Sequence, residues 1–115
     1  MKKIFVFILL ASTAFLTTAS YRIIKNDWVL FRRGEHYFSK KEYHKAIPTL
    51  SLLLKKDIKP MTVRTYLAES YYAAGELKNA LIFFENIALK EPDNMSNLFR
   101  LADTYTRLEF FDDAI

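Results

Sequence analysis

A repeat of 34 residues is the feature that most constrains how this chain folds. Sliding the sequence by that period aligns identical residues in two columns and residues of similar type in four more, without a gap. The columns are Tyr37, Tyr71 and Tyr105; Ala46, Ala80 and Ala114; Phe31, Thr65 and Phe99; Gly34, Ala68 and Ala102; Tyr43, Leu77 and Phe111; Ile47, Leu81 and Ile115. A fixed period of this length is typical of stacked repeat architectures. The chain is therefore interpreted as an array of similar units.

Within each period the apolar residues recur at intervals of three and four, which is the spacing of an amphipathic helix. Two helices per repeat are predicted, with breaks at residues 40–42 and 74–76. Pro60 and Pro92 close the first two repeats, and Asn94 offers a side-chain oxygen to cap the helix that follows. The predicted fold class is all-α, an α-solenoid of about 2.5 helix-turn-helix repeats.

The order of small, aromatic, alanine, aromatic and proline positions resembles the tetratricopeptide repeat (TPR), a protein-interaction family. The second copy carries the motif best, in Leu67, Ala68, Tyr71, Gly75, Ala80, Phe84 and Pro92. The first copy departs from it at Lys41, which replaces the inter-helix glycine and should cost about 1 kcal/mol in a left-handed conformation. The resemblance implies TPR-like repeats at 27–60 and 61–94, and a partial repeat at 95–115 that is truncated after its first helix.

The first twenty residues have the layout of a secretory signal, with Lys2 and Lys3 before an apolar run and small residues after it. Cleavage after Ala19 is predicted, which makes 1–19 a signal peptide and 20–26 a short linker. The protein would then be exported to a bacterial periplasm or cell envelope. Two alternatives stay open. Residues 4–24 are long enough to remain as a single-pass membrane anchor, and the run also fits a buried N-terminal helix.

Composition and charge exclude several function classes. The chain has no cysteine, so disulfides, thiolate metal sites and a cysteine nucleophile are excluded. Without Lys2 and Lys3 there are 15 basic against 13 acidic residues, which alternate through both halves, and no nucleic-acid partner is expected. His36 and His44 lack a third metal ligand, and neither a phosphate-binding glycine loop nor a nucleophile elbow is present. We expect no catalytic, cofactor-binding or metal-binding residues, and therefore no enzyme.

The TPR resemblance implies a concave groove lined by the first helix of each repeat, which binds a protein or peptide. The candidate residues are Phe31, Glu35 and Phe38; Thr65, Glu69 and Tyr72; Phe99, Asp103 and Thr106. One of these columns is acidic in all three copies. An acidic groove with aromatic residues suits a peptide with basic and apolar side chains. The alternative interpretation is that the acids form a solvated helix face.

The end of the chain interrupts the pattern. The third copy stops at Ala114 and Ile115, where its second helix should start, with Asp112 and Asp113 placed to complement the helix dipole. We expect either a longer array or self-association through this uncapped end. The expected function is a non-catalytic protein-protein interaction module. The alternatives are a structural N-terminal part of a larger envelope export or assembly machine, and a catalytic subunit whose active domain lies beyond Ile115.

Overall fold

The computed structural model describes residues 3, 4, 6 and 25–113, with side chains as far as residue 109. Residues 25–113 form five helices: α1 (residues 25–39), α2 (Tyr43–Lys55), α3 (Pro60–Ala73), α4 (Leu77–Lys90) and α5 (Met95–Asp113). Consecutive helices pack against each other, and the described residues contain no strand. The all-α class and a helical-repeat arrangement are confirmed. Most of the predicted signal peptide, together with Ala114 and Ile115, lies outside the described residues, and residues 25–26 of the predicted linker belong to α1.

The turns inside the first two repeats have the same backbone. Lys41 (φ 60°) and Gly75 (φ 81°), which are 34 residues apart, are both left-handed. The N–H groups of Lys41 and Gly75 donate to the carbonyls of Phe38 and Tyr72 at 3.0 and 3.1 Å. The N–H groups of the next residues, Glu42 and Glu76, donate to the carbonyls of Tyr37 and Tyr71, both at 2.9 Å. This pair of bonds is a Schellman motif, which satisfies the last carbonyls of a helix. The predicted breaks at 40–42 and 74–76 are confirmed.

The turns between repeats use two different devices. After α2, Asp57 (φ 58°) makes a third left-handed turn, and Pro60 occupies the first position of α3, where its missing N–H costs nothing. Before α5, the Asn94 side-chain oxygen accepts a hydrogen bond from the Asn97 backbone N–H at 3.1 Å. This bond satisfies one of the free donors at the start of the helix and confirms the predicted cap.

The core runs along the array as two neighbouring clusters of buried side chains. The first contains Phe31, Ala46, Leu50, Leu53, Val63 and Leu67, and the second contains Ala68, Ala80, Phe84 and Ile87. The small-residue column sets the distance between helices: a Cβ at Gly34 would lie 3.1 Å from Leu53 Cδ1 and 3.2 Å from Leu50 Cδ2. Gly34 therefore lies in close contact with α2, and Leu50 and Phe84 fill the core.

The last helix departs from the predicted pattern. α5 continues without a break to Asp113 and passes through Glu109, which stands in the column of Lys41 and Gly75. Asp112 and Asp113 therefore end α5, so the prediction that they complement the dipole at a helix start is wrong. A turn would require Glu109 to take the left-handed conformation that Lys41 takes between α1 and α2, and the continued helix avoids that cost.

Candidate functional site

The first helices of successive repeats, α1, α3 and α5, contact one another and form one face of the array, which we call the groove face. Phe38 of α1 stacks on Tyr66 of α3, with ring centroids 4.4 Å apart. One repeat later, the Arg100 guanidinium of α5 lies 4.8 Å from the ring centroid of Tyr72 of α3. The two contacts are separated by one sequence period. The 34-residue repeat is therefore also a repeat of contacts between helices.

All three acidic residues of the predicted groove lie on this face, and each is paired with an arginine. The pairs are Glu35 with Arg32 (2.8 Å), Glu69 with Arg100 (3.1 Å) and Asp103 with Arg107 (3.1 Å). The acidic side chains are 26–35% exposed, so water screens the pairs, and each contributes at most about 1 kcal/mol. The groove face thus carries both signs of charge, and the acids are neither a bare acidic stripe nor simply solvated.

Tyr72 connects these charges across α3 and α5. The guanidinium groups of Arg100 and Arg107 lie 4.8 and 5.0 Å from the centroid of its ring, and its hydroxyl donates a hydrogen bond to Asp103. Burial raises the pKa of Tyr72, and the hydrogen bond to Asp103 raises it further. The same bond, followed by the charge of Arg107, lowers the pKa of Asp103. The structure therefore brings Glu69, Tyr72 and Asp103 together in one network.

The α1–α3 half of the groove face has a different chemistry. Phe38 lies on Tyr66, whose pKa is raised first by burial and then by the nearby charge of Glu35. Position 66 is the repeat counterpart of Arg100, so an aromatic ring replaces a cation here. Glu35 and Phe38 are thus brought together around Tyr66, in a half of the face that has aromatic rings at its centre rather than a charge network.

Four of the predicted groove residues take no part in the contacts described above. Phe31 is 5% exposed and belongs to the core, with the Lys59 ammonium 4.7 Å from its ring centroid, so its predicted place in an open groove is wrong. Thr65 and Thr106 are exposed, and their hydroxyls donate back to carbonyls of their own helices. Phe99 is 73% exposed on α5.

Sequence reasoning missed the partners of the acids. The spacing of Arg32 to Glu35 and of Asp103 to Arg107 is three and four residues, which is the ordinary signal for an ion pair on one helix turn. That signal was sufficient to find both pairs. Arg100 and Tyr66 carried no such signal, because their contacts depend on how the helices of neighbouring repeats are placed against each other.

Charge is distributed unevenly along the array. Residues 25–59 carry nine Lys and Arg against four Asp and Glu, a net charge of +5, whereas residues 60–113 carry five against nine, a net charge of −4. The expectation that the two signs alternate through both halves is therefore wrong. The first repeat is basic, and the remainder of the described array is acidic.

Neither a metal site nor a membrane span is found in the part of the chain that the structure describes. Among those residues, no group of three or more His, Cys, Asp or Glu side chains is placed to hold an ion. The same residues contain no helix with the length and hydropathy needed to cross a bilayer.

Comparison with models of known protein families finds no match to this sequence, and a search of curated proteins finds none either. The chemistry of the groove face therefore rests on its own residues.

Proposed function

We propose that this protein is a TPR-type interaction module without catalytic activity, and that it binds an extended peptide segment across α1, α3 and α5. The observation that carries the proposal is the continuous groove face. The Phe38–Tyr66 stack joins α1 to α3, and the Tyr72 network joins α3 to α5. The side chains that make both contacts are half-buried, so they stay partly accessible along the same line of helices.

A partner with basic and apolar side chains fits this face. Phe38, Tyr66 and Tyr72 offer half-buried rings for apolar contact, and rings of this kind are frequent anchors in interfaces. The acids are occupied by arginines, but an exposed ion pair is worth only about 0–1 kcal/mol. A lysine or arginine of the partner therefore replaces an internal arginine at little cost, and the released arginine returns to water.

The test uses an array of immobilised peptides that are matched in length and apolar content and differ in net charge. The wild-type chain should prefer the positively charged peptides. A variant with Glu35→Gln, Glu69→Gln and Asp103→Asn removes the acidic column and should lose that preference. A matched variant with Arg32→Gln and Arg107→Gln removes two competing cations and should strengthen it. Arg100 is left unchanged in both variants because its ion pair with Glu69 joins α5 to α3, whereas Arg32 and Arg107 pair with acids of their own helices.

Two results would argue against this function. The first is equal binding of positive and negative peptides by the wild-type chain. The second is a weakening of binding by the arginine variant as large as that caused by the acidic variant. Circular dichroism on each variant separates a loss of binding from a loss of fold.

A second candidate function is structural: a place for the array inside a larger assembly, such as an envelope export machine. The observation that favours it is the apolar surface on the last two described helices, where Leu89, Met95 and Phe99 are 84%, 74% and 73% exposed. Isolated apolar residues are ordinary on surfaces, whereas grouped ones mark interaction sites. Photo-crosslinking from position 99 in cells tests it, because an assembly predicts one dominant adduct, and crosslinking to water or lipid alone counts against it.

A further inference from the structure

One edge of the first repeat combines exposed lysines with the chain's single tryptophan. The edge is formed by the start of α1, the end of α2 and the turn into α3. The Lys56 ammonium lies 3.3 Å from the Asp27 carboxylate, which fixes the end of α2 against the start of α1. Lys59 then reaches back across the turn, with its ammonium 5.6 Å from the ring centroid of Trp28.

The charges of this edge are mostly positive. Its lysines are Lys25, Lys55, Lys56 and Lys59, all exposed, and its acids are Asp27 and Asp57. Asp27 is engaged by Lys56, so three of the four lysines lie outside the ion pairs of the described residues. The remaining basic residues of the first repeat, apart from Arg32 and Arg33, are grouped around the turn at the opposite ends of α1 and α2.

Trp28 gives the edge an amphipathic centre. Its ring is 54% exposed, and the neighbouring Val29 is 47% exposed. Two cations flank the ring, Lys59 at 5.6 Å and Arg32 at 5.8 Å. A ring with one apolar and one polar side, surrounded by cations on flexible stems, is the combination found where proteins meet lipid headgroups.

The position of this edge in the chain points to the same partner. The described part of α1 begins at Lys25, directly after the apolar run that ends at Ile24. Any contact of that run with a bilayer brings the Lys25 end of α1 to the membrane surface. The remainder of the array, residues 60–113, is acidic and is repelled by anionic lipid, so the basic edge is the part of the array that such a surface attracts.

We propose that this edge, made by Lys25, Trp28, Lys55 and Lys59, docks the array on a bilayer surface rich in anionic phospholipid. The lysines contact headgroup phosphates, Trp28 enters the interfacial region, and the acidic repeats point away from the membrane. The Tyr72 network of the groove face contains none of these four residues and stays free for a partner.

The experiment uses the full chain, made by cell-free synthesis so that the leader remains in place. Partition into phosphatidylcholine vesicles is compared with partition into vesicles that contain phosphatidylglycerol. Each lysine near an anionic surface contributes about a fivefold change in partition. The variant Lys25→Gln, Lys55→Gln, Lys59→Gln should therefore lower the ratio of the two partition coefficients on the order of a hundredfold or more.

The matched control removes the same number of charges elsewhere, with Lys40→Gln, Lys41→Gln and Lys78→Gln, which are all exposed and stand at the turns on the opposite ends of the helices. Its ratio should fall only a few-fold, because those lysines lie beyond the reach of the surface field. Since Trp28 is the single tryptophan, its fluorescence reports the docked edge directly. Its emission should shift to shorter wavelength on anionic vesicles and be quenched by brominated lipid, and both effects should weaken in the first variant.

Three outcomes would overturn the proposal. The first is equal partition into both kinds of vesicle, which would assign all membrane contact to the leader. The second is an equal loss in the two lysine variants, which would reduce the effect to net charge. The third is self-association in the absence of lipid that is abolished by Lys25→Gln, Lys55→Gln, Lys59→Gln. In that case the basic edge would bind the acidic repeats of a second copy.

Discussion

Replacing Lys41 by glycine should stabilise the array, because the two repeat turns have the same backbone and different residues at the same position. Lys41 (φ 60°) carries a side chain in a conformation that Gly75 (φ 81°) adopts freely. The Lys41 side chain is exposed, and its ammonium takes part in no ion pair among the described residues. Lys41→Gly therefore removes backbone strain and little else.

The magnitude follows from two opposing terms. A residue with a Cβ costs about 1–2 kcal/mol in the left-handed region. Glycine costs about 0.4–1 kcal/mol through the greater freedom of the unfolded chain. The net stabilisation expected for Lys41→Gly is about 0.5–1 kcal/mol, which raises the melting temperature of a domain of this size by roughly 2–8 °C. The reciprocal change Gly75→Lys should cost a similar amount, since a Cβ at Gly75 meets nothing within 4 Å.

Thermal and urea unfolding, followed by circular dichroism at 222 nm, measure both changes. Lys41→Ala is the control for the side chain, because it removes the charge and keeps the strained Cβ, so it should leave stability nearly unchanged. The double variant Lys41→Gly, Gly75→Lys should return close to wild type. If Lys41→Gly is neutral while Lys41→Ala stabilises, the change in stability at position 41 comes from the side chain and not from the backbone conformation. The argument from equivalent turns then fails.

Three further predictions concern other contacts. Asn94→Ala should lower stability by about 1 kcal/mol through loss of the cap on Asn97, whereas Asn94→Ser should recover most of it in the same unfolding assay. Gly34→Leu should cost about 1–3 kcal/mol, because its side chain must enter the space filled by Leu50 and Leu53. Asp103→Asn should lower the pKa of Tyr72, measured by tyrosinate absorbance. The raised pKa means that folding favours neutral Tyr72, so this contribution to stability is present below the pKa of an unfolded tyrosine and lost as pH rises through the folded one.

The helices and their turns were predictable from sequence because each depends on local chemistry. Gly75 and Lys41 stand one period apart between apolar runs of helical spacing, and Asn94 stands immediately before a helix. Such signals act within a few residues and do not require knowledge of the packing. The continuation of α5 through Glu109 was not predictable, because the pattern assumed a second helix to pack against.

The groove face was only half predictable for a related reason. The repeat indicated which column was acidic, but it did not indicate which residue of the next repeat would face each acid. That depends on the offset, which is the sequence separation between residues that contact each other across neighbouring first helices. In the structure the offset is 31 residues, both for Glu69 with Arg100 and for Tyr72 with Asp103. Burial of Phe31 was missed because the TPR resemblance assigned its whole column to the groove, and its counterparts Thr65 and Phe99 are indeed exposed.

The offset of 31 residues makes the three acids unequal. The residue 31 positions after Glu35 is Tyr66, which has no positive charge. Glu35 therefore pairs with Arg32 on its own helix. A pair three residues apart on a helix contributes only about 0.2–0.5 kcal/mol, whereas Glu69 helps to hold α3 against α5.

Glu35 is therefore the acid most available to a partner, and Glu35→Gln should lower binding of a basic peptide more than Glu69→Gln does, while changing the free energy of unfolding less. Parallel binding isotherms and urea titrations of the two single variants measure both effects. If Glu69→Gln weakens binding more at equal stability, the partner engages the α3–α5 half of the groove face, and the ranking by internal pairing is wrong.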